Sequence, residues 1–588
     1  MKLLMRINSS LNFLFFIGWV SFSAQAQDQQ QPAEAISTQE VLVIKSYTPS
    51  LSDAFKINSS PLTADSLKER DKKLVYKIKP IDVKSTFEPN KATPLKLKKR
   101  TSSSPFNTLF SGGFGILKQF YLNASSVVEL DRTQNVGMSF YRDGFDHQFE
   151  NRLFESAQSF SQFGMHHNLR STSYNVSTQL QFTGQRNNYF GLYDREWDSF
   201  LINAYQPEIK RNYFKLRTHW NWFDSKLRSL TFQANSSSDN FSTSEQQLAI
   251  ASTFFTSLGA GQLKATLDLQ GINSSFELPF YQNQQQEFTQ GLGKSSLFWI
   301  YNKKGLKLRL GAGVSYIEGD QTLNSKLNYY PDLEVYYKKK GSVIAPYLKG
   351  QGGIELTSYR GSALQNPYLA PITALQPQFN RYNASLGIRS SLLSVLNFDL
   401  GFIYDQVENF QYFRRLPLQI ASDEKVYRLS NAFENTYADL SLYGFRAQLR
   451  IDLAQYNFIH FETAYRYFDT VGEVALYNTP SLQMNWKSQF RYKEFITVSF
   501  NGEVWGDRLA LRHVILQDQI NRSSYEEEFN LPLFIRSTAS IAIKLNEQFD
   551  AFLKARYTTE GIHGQWSYYQ EPNLLILGGI TYKFDFQY

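Results

Sequence analysis

The chain has 588 residues and no cysteine, which excludes disulfides, thiolate metal sites and cysteine nucleophiles. Its mean hydropathy of -0.39 excludes a bundle of membrane helices, which needs runs of about 20 apolar residues. The net charge of +8 lies mostly before residue 106, because residues 27–105 carry 14 Lys and Arg against 9 Asp and Glu. The remaining 483 residues are close to neutral, so the pI of 9.1 does not indicate nucleic-acid binding.

The first 26 residues have the pattern of an export signal. Lys2 and Arg6 precede a short apolar segment, Leu11–Phe22, and Ala24-Gln25-Ala26 is a small-x-small cleavage site. The apolar segment is too short to span a membrane stably. The sequence therefore predicts a signal peptide over 1–26 that is cleaved before Gln27.

Residues 27–105 are predicted to form an extended periplasmic segment. They hold 7 of the 18 prolines and no glycine, whereas a compact domain needs residues at positive φ for its turns. Short β-prone patches, of which Glu40-Val41-Leu42-Val43-Ile44 is the first, suit strand addition to a partner's sheet. The basic run Lys96–Arg100 is either a solvated linker or a contact for an acidic partner or lipid phosphate.

From residue 106 onward, apolar and polar residues alternate in hairpin after hairpin. In Leu306–Ile317, for example, Leu310 belongs to an apolar face and Gly311 to the opposite, lumen face, where we expect arginine to be tolerated better. This pattern is typical of a membrane barrel with a wet interior, because closure is what pairs every strand in lipid. We predict an all-β fold, a transmembrane antiparallel barrel over 106–588 of about 22 strands, near 107–115, 118–130, 134–142, 161–170, 173–186, 209–221, 226–237, 243–256, 261–273, 291–301, 306–317, 326–337, 342–356, 380–390, 395–406, 438–451, 457–468, 480–489, 494–504, 532–544, 548–558 and 573–587.

Short turns and long connections alternate along this region. An even strand count puts both termini in the periplasm, so the short turns are expected on the periplasmic side. The long connections are expected outside the cell, near 143–160, 186–208, 275–290, 358–378, 407–437, 505–530 and 559–571. A soluble propeller or sandwich array is the rival interpretation, but it would need regular repeats that the sequence lacks.

The last strand ends on alternating aromatic residues, Tyr582, Phe584, Phe586 and Tyr588. This ending resembles the terminal strand that the outer-membrane assembly machinery reads. It implies that machinery and outer-membrane lipids as partners.

Three stretches carry a wider resemblance: Glu40–Pro61, Asn107–Val127 and Asn366–Leu392. They resemble an outer-membrane barrel family common in Bacteroidota whose members are described as TonB-dependent-receptor-like. Within the resemblance, Glu40 to Ile44 looks like a TonB box, or else a general docking strand. Receptors of that type carry a folded plug domain, whereas the stretch here between Ile44 and the first strand lacks glycine and is too short for one. This departure from the family predicts a barrel without a recognisable plug and argues against active uptake of a siderophore or vitamin.

Charged residues are expected on the lumen wall, and we predict no catalytic or metal site. The lumen candidates are Arg309, Arg446, Arg450, Glu462, Arg466, Asp550 and Arg556. The arginines either bind anionic solutes or an acidic inserted segment, or are solvated and pair with Glu462 and Asp550. No P-loop, dinucleotide, zinc or EF-hand motif occurs, so we predict neither an enzyme nor a cofactor.

Two functions remain open. The first is a TonB-dependent-receptor-like role in transport across the outer membrane, with TonB as a partner. The second is a non-transporting, occluded barrel subunit that recruits periplasmic or outer-membrane proteins. In either case an unblocked 22-strand pore would be harmful, so we expect the lumen to be occluded by the loops near 358–378 and 407–437, by Lys96–Arg100 meeting Glu462 and Asp550, or by a partner.

Overall fold

The computed structural model describes residues 106–150, 152–192, 205–277, 280, 285–319, 326–371, 375–392, 395–419, 425–454, 456–517 and 522–586. The predicted signal peptide, the 27–105 segment with Glu40–Ile44 and Lys96–Arg100, and the terminal Tyr588 lie outside the described residues. Among the described residues, no helix has the length and apolar character needed to cross a bilayer.

The described chain contains 24 strands and one short α-helix. A single 3₁₀ turn covers Val426–Arg428, and the helix α1 covers Tyr359–Gln365. The strands are β1 Thr108–Gly115, β2 Phe120–Glu129, β3 Gln134–His147, β4 Ser156–Arg170, β5 Tyr174–Asn188, β6 Glu208–Trp222, β7 Leu227–Asp239, β8 Thr243–Leu258, β9 Gly261–Phe276, β10 Gln286–Lys303, β11 Leu306–Gly319, β12 Lys326–Tyr337, β13 Ile344–Glu355, β14 Gln378–Leu392, β15 Leu396–Arg415, β16 Phe433–Ala454, β17 Asn457–Thr470, β18 Leu482–Tyr492, β19 Ile496–Trp505, β20 Arg508–Gln517, β21 Arg522–Leu531, β22 Phe534–Lys544, β23 Phe549–Thr558 and β24 Leu574–Phe584.

Twenty-two of these strands form one closed antiparallel barrel. Each pairs with its neighbour in sequence, except that β19 pairs with β22, and β24 closes the sheet on β1 from Thr108↔Phe584 to Gly115↔Leu577. The side chain of Asn107 strengthens this seam by donating from Nδ2 to the carbonyl oxygen of Phe586 at 2.8 Å. The predicted all-β barrel is confirmed, and each of the 22 predicted ranges overlaps one barrel strand.

The strands alternate between an outer and an inner face, as the sequence pattern predicts. Leu310 is 43% exposed on the outer wall, in register with Trp299 and Leu333, whereas the inward Phe298 is 1% exposed. The expectation for Gly311 is wrong, because a Cβ atom there would lie 2.4 Å from the carbonyl oxygen of Leu297. That clash is with backbone, so arginine at 311 would distort the wall even though the site faces inward.

Two differences from the sequence-based expectation lie at the end of the barrel with the long connections, here called the long-loop end. β15 and β16 run well past their predicted ends, with a bulge between Val407 and Phe410 where Asn409 has φ 57. The region near 505–530, expected to be a loop, forms the separate β20–β21 hairpin. Residues beyond the bilayer need not alternate, which is why the pattern misses both features.

Candidate functional site: a cap of loops over the barrel opening

The connections at the long-loop end pack together into one hydrophobic core, which we call the cap. Its residues come from seven connections and the strand ends beside them, distributed around the circumference. They are Phe149, Phe154, Tyr189, Phe190, Leu192, Tyr205, Ile209, Phe241, Phe276, Phe280, Tyr359, Ala363, Leu369, Ala370, Leu375, Phe413, Leu416, Val426, Tyr427, Leu429, Ala432, Phe433, Trp566 and Tyr569.

The cap crosses the opening of the barrel. Asn431, which follows β15, donates from Nδ2 to the carbonyl oxygen of Tyr189, which follows β5, at 2.8 Å. These strands lie ten positions apart in a ring of 22 and are therefore nearly opposite. A barrel of this size is roughly 40 Å across, so side chains on the rim alone could not meet. The connections must therefore fold inward over the opening.

The β13–β14 and β15–β16 connections form the centre of the cap. The amide of Ala370 donates to the carbonyl oxygen of Phe433 at 2.9 Å, and the amide of Phe433 donates to that of Tyr368 at 3.0 Å. This short backbone ladder joins the two connections that were expected to occlude the lumen. Tyr368 also stacks on Tyr569 of the β23–β24 connection, with ring centroids 3.4 Å apart.

A buried carboxylate on the barrel wall holds the start of α1. Glu245 on β8 is 1% exposed, and its carboxylate accepts the amide N–H groups of Tyr359 at 2.6 Å and Arg360 at 3.2 Å. Ser358 caps the same helix by accepting from the amide of Gly361 at 2.9 Å. The first-turn amides of a helix have no intrahelical partner, so these oxygens satisfy them and fix α1 to β8.

Buried arginines join the connections through backbone carbonyl groups. Arg415, at the end of β15, is 0% exposed and donates to the carbonyl oxygens of Ser567 at 3.0 Å and Gly191 at 2.5 Å. Arg211 donates to Leu369 at 2.7 Å, and Arg508 donates to Gly564 at 2.9 Å. A charged donor on a buried carbonyl is stronger than a neutral one, so each arginine fastens two segments at once.

These arginines also affect a histidine in the β23–β24 connection. Burial, followed by the charges of Arg415 and Arg152 among others, lowers the pKa of His563 to about 4. Its Nδ1 accepts the amide N–H of Tyr568 at 3.0 Å, which requires that nitrogen to be unprotonated. The cap is therefore built around a neutral imidazole.

The β20–β21 hairpin lies against the cap. Its Arg508 is buried at the cap, and Phe529 lies beside the His563 ring with centroids 5.2 Å apart. Glu528 accepts a hydrogen bond of 2.7 Å from the hydroxyl of Tyr477, and burial together with this bond raises the pKa of Tyr477. The amide of Asn478 donates to the carbonyl oxygen of Leu509 at 2.7 Å, which fixes the base of the hairpin.

The predicted lumen charges fall into three groups. Arg446, Arg450, Glu462 and Arg466 share the inner face of β16 and β17, whereas Arg309 lies on β11, and Asp550 and Arg556 lie on β23. The structure thus brings together four of the seven residues.

The expected partners of these arginines are wrong. Glu462 lies 3.1 Å from Nε2 of His460, and Asp550 lies 2.5 Å from the ammonium of Lys583. Arg309 pairs with Asp332 on the neighbouring strand, and Arg450 pairs with Asp452 two residues further along its own strand. Among the described residues, no group of three or more His, Asp or Glu is placed to hold a metal ion.

Two of the cap's connections were predictable from the sequence, but none of the residues that fasten them was. Arg211, Arg415 and Glu245 carry no motif, because their partners are backbone groups of distant segments. One signal was available: Tyr368, Leu369 and Phe433 make long connections unusually apolar for loops exposed to water.

Comparisons with known proteins show which solved structures share this fold. No protein-family model matches the chain, and a search of curated proteins found no match. Among solved structures, the barrel is similar to the FrpB iron transporter from Neisseria meningitidis (F5-1 variant), with 10% identity, a TM-score of 0.56 and coverage of 82% of each chain. It is also similar to the pyoverdine outer membrane receptor FpvA from Pseudomonas aeruginosa PAO1, with 11% identity, a TM-score of 0.58 and coverage of 82% of this chain and 79% of that one.

A third similar structure is a mutant of the ferric enterobactin receptor PfeA from Pseudomonas aeruginosa. The identity is 11%, the TM-score is 0.55, and the match covers 81% of this chain and 80% of that chain. At this level of identity the shared property is the architecture of the 22-strand barrel.

Proposed function

We propose that this chain is an outer-membrane protein of the TonB-dependent-receptor-like type that takes part in transport across the outer membrane. The observation that supports this most is the closed 22-strand barrel, an architecture that it has in common with an iron transporter and two siderophore receptors. The outward rows of apolar side chains suit a lipid environment. In this arrangement the short turns face the periplasm and the cap faces the outside.

The proposal includes the N-terminal part of the chain. Residues 1–26 act as the export signal, and Glu40 to Ile44 act as a TonB-box-like strand that an inner-membrane energy transducer engages. We infer a Bacteroidota-type barrel in which the extended segment 27–105 replaces a conventional plug domain. Tyr582 to Tyr588 form the ending that the assembly machinery recognises.

The test uses energised cells that depend on this protein. Ferric siderophores are the first solutes to try, since proteins of similar fold are described by that cargo. We expect uptake by the full chain and loss of uptake when Glu40 to Ile44 are deleted, with surface expression unchanged. Recovery of the wild-type chain as a soluble periplasmic protein would refute the proposal outright.

The cap supports a second candidate, a non-transporting barrel that serves as a subunit of an outer-membrane complex. A gate has to open, whereas this cap has 24 residues in one buried core, and Asn431 and Arg415 donate hydrogen bonds to the nearly opposite β5–β6 connection. The two candidates differ in a planar bilayer and in native membranes. No solute uptake, no conductance after removal of 27–105, and a stoichiometric co-purifying protein would favour the subunit.

A further inference from the structure

A cluster of lysines lies at the opposite, short-turn end of the barrel. Two adjacent turns, β10–β11 and β12–β13, supply five lysines, which we call the basic rim: Lys303, Lys304, Lys338, Lys339 and Lys340. The region 106–588 is close to neutral, so five positive charges within two turns are a strong local excess. The flanking β8–β9 turn, Gly259-Ala260, carries no charge.

The two turns are built to lie together. The amide of Lys338 donates to the carbonyl oxygen of Gly305 at 2.7 Å. Gly305 has φ 80, and a Cβ atom there would lie 1.9 Å from the carbonyl oxygen of Lys338, so both the turn and the contact require glycine. A cavity of about 360 Å³ lies between the turns and is also lined by Lys307 and Tyr336.

The charges of the basic rim are not neutralised by described parts of the protein. None of its five ammonium groups forms a salt bridge with a described carboxylate, although lysines elsewhere do. The chain's own segment 27–105 is also basic, with 14 Lys and Arg against 9 Asp and Glu, so its charge does not complement that of the basic rim. Mutual repulsion among five lysines favours an external anion.

The outer wall beside the basic rim shows which anion fits. On this face Lys303 is in register with Leu306, and Tyr301 and Trp299, stacked with centroids 5.5 Å apart, precede it along β10. Tyr337 is 45% exposed on the same face, directly before Lys338. At about 3.4 Å per residue, the lysines begin about 7 Å beyond Tyr301, which is where lipid headgroups follow an aromatic belt.

We propose that the basic rim binds the phosphate groups of anionic phospholipids in the leaflet at the short-turn end. This rests on the membrane location proposed above. Lysine suits the role because its ammonium is a mobile point charge on a long apolar stem, which can follow a headgroup while its stem covers the wall. The continuity of the basic rim with the apolar outer face favours a lipid over a soluble acidic protein.

The test compares two double variants of the full mature chain in nanodiscs of phosphatidylcholine with and without phosphatidylglycerol. Lys339→Gln/Lys340→Gln removes two charges from the basic rim, and Lys226→Gln/Lys493→Gln removes two charges from other turns at the same end, where acidic residues lie close by in the sequence. Retained lipid is counted by native mass spectrometry after mild detergent extraction. We expect wild type and control to retain phosphatidylglycerol, and the rim variant to retain it about tenfold less.

Further arms identify the source of the anion. Inorganic phosphate, compared with chloride at equal ionic strength, should not displace the lipid, because a free ion lacks the apolar tails that hold the headgroup in place. Equal retention by the rim variant and the control would overturn the proposal.

A poly-glutamate peptide tests for a protein partner instead. If the peptide binds, if phosphatidylglycerol does not compete with it, and if only the rim variant loses this binding, the proposal is overturned and the basic rim is a protein-docking surface. Normal heat-modifiable insertion of all variants would show that the membrane location stands even if the lipid site fails.

Discussion

Arg415→Met tests whether buried arginines hold the cap closed. Methionine keeps most of the side-chain volume but removes the donors to the carbonyl oxygens of Ser567 and Gly191. Each buried carbonyl left without a partner costs about 1–3 kcal/mol. The closed cap should therefore lose roughly 3 kcal/mol of stability relative to the open state. At 1.36 kcal/mol per decade, the open fraction should rise about 150-fold.

A single cysteine reports this change, because the chain contains no other. Ala432 is 0% exposed in the cap, so Ala432→Cys should react with a thiol reagent only when the cap opens. Leu153→Cys, at a position 50% exposed, gives the reactivity of a freely accessible thiol. Labelling rates of the two sites give the open fraction.

The neighbouring Arg414 is the matched control. Its side chain is 33% exposed and pairs with Glu526 on the hairpin, and exposed ion pairs contribute about 0–1 kcal/mol. Arg414→Met should therefore raise labelling less than about fivefold. If Arg415→Met labels no faster than Arg414→Met, the arginine bonds do not hold the cap and the reasoning fails.

Three further predictions use the same barrel. Leu310→Arg should cost about 2–4 kcal/mol in urea unfolding from lipid, whereas Gln233→Arg on the inner face should cost far less; equal costs would contradict the face assignment. The low pKa of His563 means that the folded cap binds fewer protons than the unfolded one, so stability is full above pH 6.5 and falls as pH drops towards 4. The labelling rate of Ala432→Cys divided by that of Leu153→Cys at the same pH, which corrects for the loss of thiolate in acid, should rise over that range with His563 present and rise less with His563→Gln. Identical pH profiles would show that protonation of the histidine does not open the cap. Glu245→Gln should loosen α1, because glutamine keeps one acceptor oxygen and its NH₂ cannot accept the second of the N–H groups of Tyr359 and Arg360. Amide exchange in 359–365 should rise at least tenfold, while Glu287→Gln, on the exposed end of β10, leaves it unchanged.

The barrel was predictable from the sequence because one rule governs every strand. The alternation in Leu306–Ile317 reflects lipid on one side and the lumen on the other, and each of the 22 barrel strands obeys that constraint. The ends of β15 and the β20–β21 hairpin were not predictable, because residues outside the bilayer do not have to alternate between a lipid face and a lumen face. Gly311 shows another limit: its inward face follows from the pattern, but the clash of a side chain with Leu297 depends on the neighbouring strand.

The cap was only partly predictable, for a different reason. Loop length indicated that residues near 358–378 and 407–437 could reach inward, and the structure contains that packing. Pairings such as Arg211 with Leu369, 158 residues apart, leave no local trace because any residue type offers a carbonyl oxygen. The predicted partners of the lumen arginines were wrong for a related reason: they were chosen by opposite charge alone, whereas the actual partners depend on which strands are adjacent.

That fastening through carbonyl oxygens has an evolutionary consequence. The residues that accept from Arg152 and Arg508, such as Ile562 and Gln565, supply main-chain oxygen, which substitution of the acceptor's side chain does not remove. Substitutions on the outward side of these connections can therefore accumulate without unfastening them. The exterior of the cap can therefore change its chemical identity while the closure beneath it keeps the same geometry.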